Sequence, residues 1–169
     1  MTTHTRHRDD SPDAHDLEDL DDLDLDLDRI VREFLASPAA DAVGGDTTAD
    51  EALAHAIVHA SDLFLLDALA MTPSNLGFLM TGGLPLLSGD APQEHLRMAD
   101  LLAGYVRFVH ARTGRRPRAT RLALAAVAEN RAAYLAAAGS DQTRRAREAL
   151  AEESRRVDQR PTDRQPGTI

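Results

Sequence analysis

Cysteine, lysine and tryptophan are absent from this 169-residue sequence, and only 4% of it is aromatic. Without cysteine there is no disulfide, no thiolate nucleophile, no iron–sulfur cluster and no Cys-based zinc site. Without lysine there is no phosphate-loop lysine and no Schiff base. All 19 basic residues are arginine, a usage that fits GC-rich codons. A hydrophobic fraction of 43% suffices for one modest core, and that core is aliphatic.

Long apolar runs are also missing. The opening "MTTHTRHRDDSPDAHD" lacks the apolar stretch of a signal peptide, which points to a cytoplasmic protein. The most apolar segment, Leu63 to Leu87, is interrupted by Asp67, Pro73, Asn75 and a Gly pair. A spanning helix needs about 20 mainly apolar residues, so this segment reads as buried core with a loop inside it, and no membrane partner is expected.

The net charge of −9 is unevenly spread. Residues 1–50 hold 15 acidic and 4 basic residues, residues 51–110 hold 6 and 2, and residues 111–169 hold 7 and 13. An acidic front and a basic back attract each other or recruit different partners.

Helical signals dominate. Ser11-Pro12 offers a start, and Leu17, Leu20, Leu23, Leu27, Ile30, Val31, Phe34 and Leu35 form a helical stripe that Ser37-Pro38 ends. Thr48 with Glu51 makes a capping box for a second helix reaching about Met71, with Leu53, Ile57, Ala60, Phe64, Ala68 and Met71 inward. "TPSNLGFLMTGGLPLLSG" breaks any long helix, with a short turn expected over Leu76 to Met80. Asp90 and Gln93 form a capping box for a third helix ending at Gly114, and Met98, Leu102, Tyr105 and Val109 mark its buried side. An Ala-rich fourth helix, Thr120 to Ala138, suits close packing near the centre of a bundle. Ser140 caps a fifth, charged helix whose apolar stripe of Ala146, Leu150 and Val157 is thin, so it projects.

The stretch "DLEDLDDLDLDLDRIVREFL", Asp16 to Leu35, admits a calcium-loop reading that begins at Asp22, with Asp24, Asp26, Asp28 and Glu33 in ligand positions. That reading fails where the loop needs glycine, at Leu27, and where it needs an inward apolar residue, at Arg29. The helical stripe is twice as long as the alternation that would favour a strand. Asp22/Asp26 and Asp24/Asp28 repel at i,i+4 spacing, so the acidic end frays while Ile30 to Leu35 docks.

Two groups of side chains carry chemistry. Glu51, His55, His59 and Asp62 share one side of the second helix, a donor set able to hold zinc or nickel, though "HAIVH" lacks the glutamate of a zinc protease. The alternative is the polar face of an amphipathic helix. Arg112, Arg115, Arg116, Arg118 and Arg121 crowd the helix–helix turn "RTGRRPRATR", where guanidinium groups suit phosphates or other anions. This run approaches an AT-hook but has Thr113 before its glycine and two arginines after it. The alternative is a solvated basic turn that complements a helix C-terminus. No nucleophile elbow, phosphate loop or paired catalytic carboxylates occur, and no cofactor is implied.

"LFLLDALA" from Leu63, "LLAGYVRFVHARTGRRP" from Leu101 and the following "LALAAV" resemble a helical segment of uncharacterised actinobacterial proteins, in which Phe-Leu-Leu-Asp-Trp-Leu-Pro precedes Ala-Trp-Val-Arg-Phe-Ala and an Arg-x-Gly-Leu-Pro turn. Ala68, Ala70 and Tyr105 stand where that pattern has Trp, Pro and Trp, and "GRRP" replaces Gly-Leu-Pro. The resemblance implies a small helical module and carries no catalytic residue.

The expectation is an all-α bundle of about four or five helices: an acidic, frayed or disordered arm over 1–28, a helical core over 29–139, a projecting charged helix over 140–157 and a disordered tail over 158–169. The expected role is a non-catalytic cytoplasmic interaction or regulatory module. Its partner is another protein or a second copy, and the alternative is a nucleic-acid-associated regulator that uses the Arg turn.

Overall fold

Ile30, Val31 and Phe34 lie one helical turn apart, and all three are buried in a helix, α1, that spans Leu27–Leu35. The computed structural model describes residues 27–44 and 47–158, and the acidic stretch ahead of Leu27 and the segment after Asp158 lie outside them. Ser37, extended at φ −95 and ψ 152, ends α1 by donating its hydroxyl to the Phe34 carbonyl and opens a single turn, α2, Pro38–Asp41. Next come α3, Thr47–Leu63; α4, Pro73–Phe78; a π turn, Leu79–Gly83; and α5, Leu84–Leu87. Three long helices close the chain: α6, Pro92–Arg112; α7, Pro117–Ala138; and α8, Asp141–Asp158.

The fold is all-helical, with no strand among the described residues. The count exceeds the expected four or five. The run from Pro73 to Leu87 is one broken rod rather than a loop, which makes seven rods among the described residues. Pro73 occupies the first turn of α4, and Thr72 caps it by accepting from the Asn75 amide. Gly83 does not stop the rod because its missing side chain admits Phe64: a Cβ there would lie 2.5 Å from the ring. The π turn lets the Leu84 amide reach Leu79, ahead of Pro85, which has no amide hydrogen to donate.

The second helix is shorter than its apolar pattern suggests. Leu65, at φ 53, turns the chain out of α3, and the amides of Leu65 and Leu66 close back onto the carbonyls of Asp62 and Ser61. Ala68 and Met71 are nevertheless buried, from an irregular segment rather than a helix. Two helix starts also differ from expectation. Thr48 lies inside α3, and α6 opens at Ala91-Pro92 without a side-chain cap, because Asp90 is bound to Arg147 instead.

The core is aliphatic around a small aromatic centre, as Phe34 stacks edge-on against Tyr105 with centroids 5.3 Å apart. Met98, Leu102, Tyr105 and Val109 line the buried side of α6. Gly104 lets α6 approach α2, since a Cβ would meet the Ala39 carbonyl at 2.9 Å. Helix α7 packs on α4, α5, α6 and the π turn, while α8 leans on α5 and α7. Beyond Arg147, α8 is exposed through Arg156. Among the described residues no helix is long and apolar enough to cross a membrane.

Candidate functional site: the arginine turn between α6 and α7

Helix α6 ends in a Schellman arrangement. Gly114 sits at φ 64, and the Arg115 amide donates to the His110 carbonyl at 2.8 Å. Arg116 then takes the N-cap position of α7 in extended geometry, followed by Pro117. This tight reversal, with no side chain over Gly114, throws Arg115, Arg116, Arg118 and Arg121 outward, and all four are exposed.

The five arginines of the turn are not equivalent. Arg112 is bound by Glu33 of α1 and is committed to the fold. Arg115, Arg116, Arg118 and Arg121 have no carboxylate partner among the described residues. Several guanidinium groups elsewhere are used internally, Arg97 on Asp50, Arg131 on Asp100 at 2.6 Å and Arg147 on Asp90 at 2.6 Å, while Arg107 and Arg145, like the four of the turn, have no carboxylate partner among the described residues.

Two hollows meet at this turn. One, about 440 Å³, is lined by Thr113, Gly114, Arg115, Arg116 and Ala119. The other, about 130 Å³ and mainly apolar, is lined by Ala70, Met71, Thr72, Pro73, His110, Arg115, Ala119 and Leu122. They share Arg115 and Ala119. The wall between loop and helix is fixed by His110, which is buried and holds both the Met71 carbonyl at 3.0 Å and the Thr120 hydroxyl at 3.1 Å. The surface therefore offers a cationic rim beside an apolar socket. Charge clustering alone revealed the rim. The socket escaped the sequence reading because Met71 and Pro73 come from a segment some fifty residues away from Leu122.

The second group divides differently. His55 faces Glu51 through that residue's backbone carbonyl, at 2.9 Å from Nδ1, and faces the Asp28 carboxylate at 3.2 Å from Nε2. In this arrangement neither ring nitrogen is turned to a metal. Asp28, His55 and His59 border an open cleft of about 390 Å³ between α1 and α3, together with Leu27, Ala56 and Leu87. Glu51 and Asp62 are exposed on α3 and do not line that cleft. Among the described residues no three histidine or carboxylate side chains converge as a metal site.

The chain matches no protein-family model, no curated protein and no solved structure.

Proposed function

We propose that this chain is a non-catalytic interaction module whose working surface is the α6–α7 turn and whose partner is an acidic protein segment bearing apolar side chains. The observation that carries the reading is the junction at Arg115 and Ala119, where Arg115, without a carboxylate partner among the described residues, borders both the apolar socket and the open hollow that Arg116 also lines. Arginine suits carboxylates because its planar fork donates two parallel hydrogen bonds. The socket adds contact area that simple charge attraction does not use.

A nucleic-acid partner is the second reading, favoured by the same four arginines. The lining residues weigh against it. No Phe, Tyr or Trp borders either hollow to stack a base, and the whole chain carries −9.

The test is NMR of the arginine side chains of the full chain, titrated to millimolar concentration with a synthetic Glu-Leu peptide and, separately, with an oligonucleotide. Shifts at Arg115 and Arg116 on peptide addition, lost in the Arg115→Ala, Arg116→Ala variant, are expected. Shifts with the oligonucleotide alone, weakening steeply with salt, assign the surface to phosphates instead.

A further inference from the structure

We infer that the partner of the arginine turn is a second copy of this chain: the corner Asp62 to Asp67, "DLFLLD", presents Leu65 as a knob that enters the apolar socket of the facing molecule, and the exchange is reciprocal. This inference rests on the reading of the turn as a surface for acidic, apolar-bearing segments.

The knob does nothing for the fold that carries it. Leu65 is 94% exposed and holds left-handed backbone at φ 53, a conformation that favours glycine. In the isolated chain it therefore adds strain and almost no packing. Its place is fixed, because the amides of Leu65 and Leu66 donate to the carbonyls of Asp62 and Ser61, both at 2.8 Å. Asp62 is exposed one residue before the end of α3, where a carboxylate opposes the helix dipole, and it has no ion pair among the described residues. Asp67, exposed at the other end of the corner, accepts from the Leu69 amide through Oδ1 at 2.8 Å and likewise has no ion pair among the described residues. Two carboxylates around an exposed leucine are the ligand chemistry that the arginine turn and its socket call for.

Knob and socket share one end of the bundle. Asp50, in the first turn of α3, is bound to Arg97 near the start of α6, and beyond α3 the carbonyls of Ala68 and Met71 meet Tyr105 and His110, further along α6. The strap after Leu65 thus climbs α6 toward the arginine turn, and Ala70 to Pro73 form one wall of the socket. The Ala70 amide closes a turn on the Asp67 carbonyl at 2.9 Å. That turn keeps Asp67 within about 7 Å of Ala70, and Leu65 within about 15 Å of it. Leu65 is exposed rather than seated in its own socket, so a second molecule is needed to fill it.

This adjacency sets the symmetry. When a knob and its socket lie on one face, a two-fold axis between them lets each copy give its knob to the other, and the pair closes without a free socket. Charge is complementary at both contacts. Asp62 and Asp67 flank the knob, while Arg115 borders the socket with no carboxylate partner of its own among the described residues. The socket, about 130 Å³, has room for one apolar group, since an apolar cavity of about 150 Å³ holds a benzene ring.

Sedimentation velocity of the full chain tests the pairing. A dimer is expected with a Kd on the order of 100 μM, since so small a contact sits at the weak end of specific interfaces. Leu65→Gly and Asp62→Arg are each expected to raise that Kd at least about tenfold. In dilute solution both are expected to keep the helical circular dichroism of the native chain, because each removes a feature that opposes the isolated fold. Arg115→Glu is expected to weaken pairing as much from the socket side. Mixing the Asp62→Arg chain with the Arg115→Glu chain is then expected to restore the dimer, because in the mixed pair one contact keeps its native charges and the other has them exchanged. A Leu65→Gly chain that pairs as the native one does, or a mixture no tighter than its parts, overturns the inference.

The synthetic Glu-Leu peptide separates this inference from the reading beneath it. Peptide that shifts Arg115 and also dissociates the native dimer is expected. If the native chain stays monomeric up to about 1 mM while the peptide shifts Arg115, the surface reading stands and self-pairing falls. If the chain neither pairs nor responds to the peptide, the surface reading falls as well.

Discussion

Arg97 grips Asp50 with two parallel hydrogen bonds, Nε to Oδ1 at 2.7 Å and Nη2 to Oδ2 at 2.5 Å, across 47 residues of sequence. Its remaining nitrogen donates to the Val43 carbonyl at 2.5 Å, so one guanidinium ties α6 to α3 and to the loop before it. Asp50 is only 8% exposed. Donating to the Asp50 carboxylate holds the Arg97 pKa above its usual value against the opposing cost of burial. Removing either partner leaves a poorly hydrated charge, at a cost of about 2 to 4 kcal/mol. A double-mutant cycle on Arg97 and Asp50 is therefore expected to give a coupling of about 2 kcal/mol. The same cycle on the exposed pair Arg155 and Glu152 is expected to give below about 0.5 kcal/mol. Similar values from the two cycles would mean that burial adds nothing to the Arg97 clamp.

Alkaline unfolding is expected to be a tyrosine event. The chain has no lysine or cysteine and two tyrosines, so between about pH 9.5 and 12 no other side-chain type titrates. Burial raises the pKa of Tyr105, whose hydroxyl donates to the Ala68 carbonyl at 3.1 Å, and Asp67 adds to the rise. Burial also raises that of Tyr134, opposed by Ser88 and Arg147. A raised folded pKa means that the unfolded chain ionises first, near pH 10, and binds fewer protons there than the folded one. Stability is thus fully present below about pH 10 and falls as pH rises past it, by at most about 2.7 kcal/mol per pH unit for two groups. Tyrosinate absorbance and loss of helical circular dichroism are expected to rise together. Tyrosinate appearing near pH 10 with the helices intact would refute this, and Tyr105→Phe is expected to flatten the decline.

How far the fold was legible follows from where burial and helix period coincide. In α1 and α6 they do: Ile30, Val31, Phe34, Met98, Leu102, Tyr105 and Val109 read as buried faces and are buried. At the end of α3 they part, because Ala68 and Met71 are buried from irregular chain and keep the same spacing they would have on a helix. No Gly or Pro marks the exit; Leu65 makes it. The Gly82-Gly83 pair and Pro85 look like breakers, yet Phe64 and the π turn absorb them. The arginine rim was visible as a charge cluster, whereas which arginines are already bound depends on Glu33, far away in sequence.

Leu65 and Gly114 perform the same task in two places. Each follows a helix in left-handed geometry, at φ 53 and φ 64, with the next amide closing onto the carbonyl five residues back. Glycine is free there, while a residue with a Cβ is strained by about 1 to 2 kcal/mol. Leu65 is 94% exposed, so little packing is lost on its removal. Leu65→Gly is expected to stabilise the protein by about 0.5 to 1 kcal/mol after the greater freedom of unfolded glycine is counted. Gly114→Ala is expected to destabilise it by about 1 kcal/mol. Urea titration checks both, and a loss of stability in Leu65→Gly would show that the exposed leucine holds a contact.

Arg147 decides whether α8 belongs to the fold or merely follows it. Its Nη1 donates to the carbonyls of Ser88 and Gly89 and to Asp90, and its Nη2 donates to the Ala138 carbonyl at 2.5 Å. The side chain is 13% exposed, while every residue from Glu148 through Arg156 is exposed. The i,i+3 and i,i+4 pairs of Arg155 and Arg156 with Glu152 and Glu153 support that outer half by only about 0.2 to 0.5 kcal/mol each. Docking of α8 therefore depends on one planar cation that serves acceptors in two directions, which a lysine ammonium at the same position would not span. Arg147→Ala and Arg147→Lys are both expected to raise hydrogen exchange across Asp141–Asp158 while α6 keeps its protection. Exchange that rises equally in α6 would make Arg147 part of the global core, and unchanged exchange in α8 would place its anchorage in Thr143 and Ala146, the half-buried residues beside it.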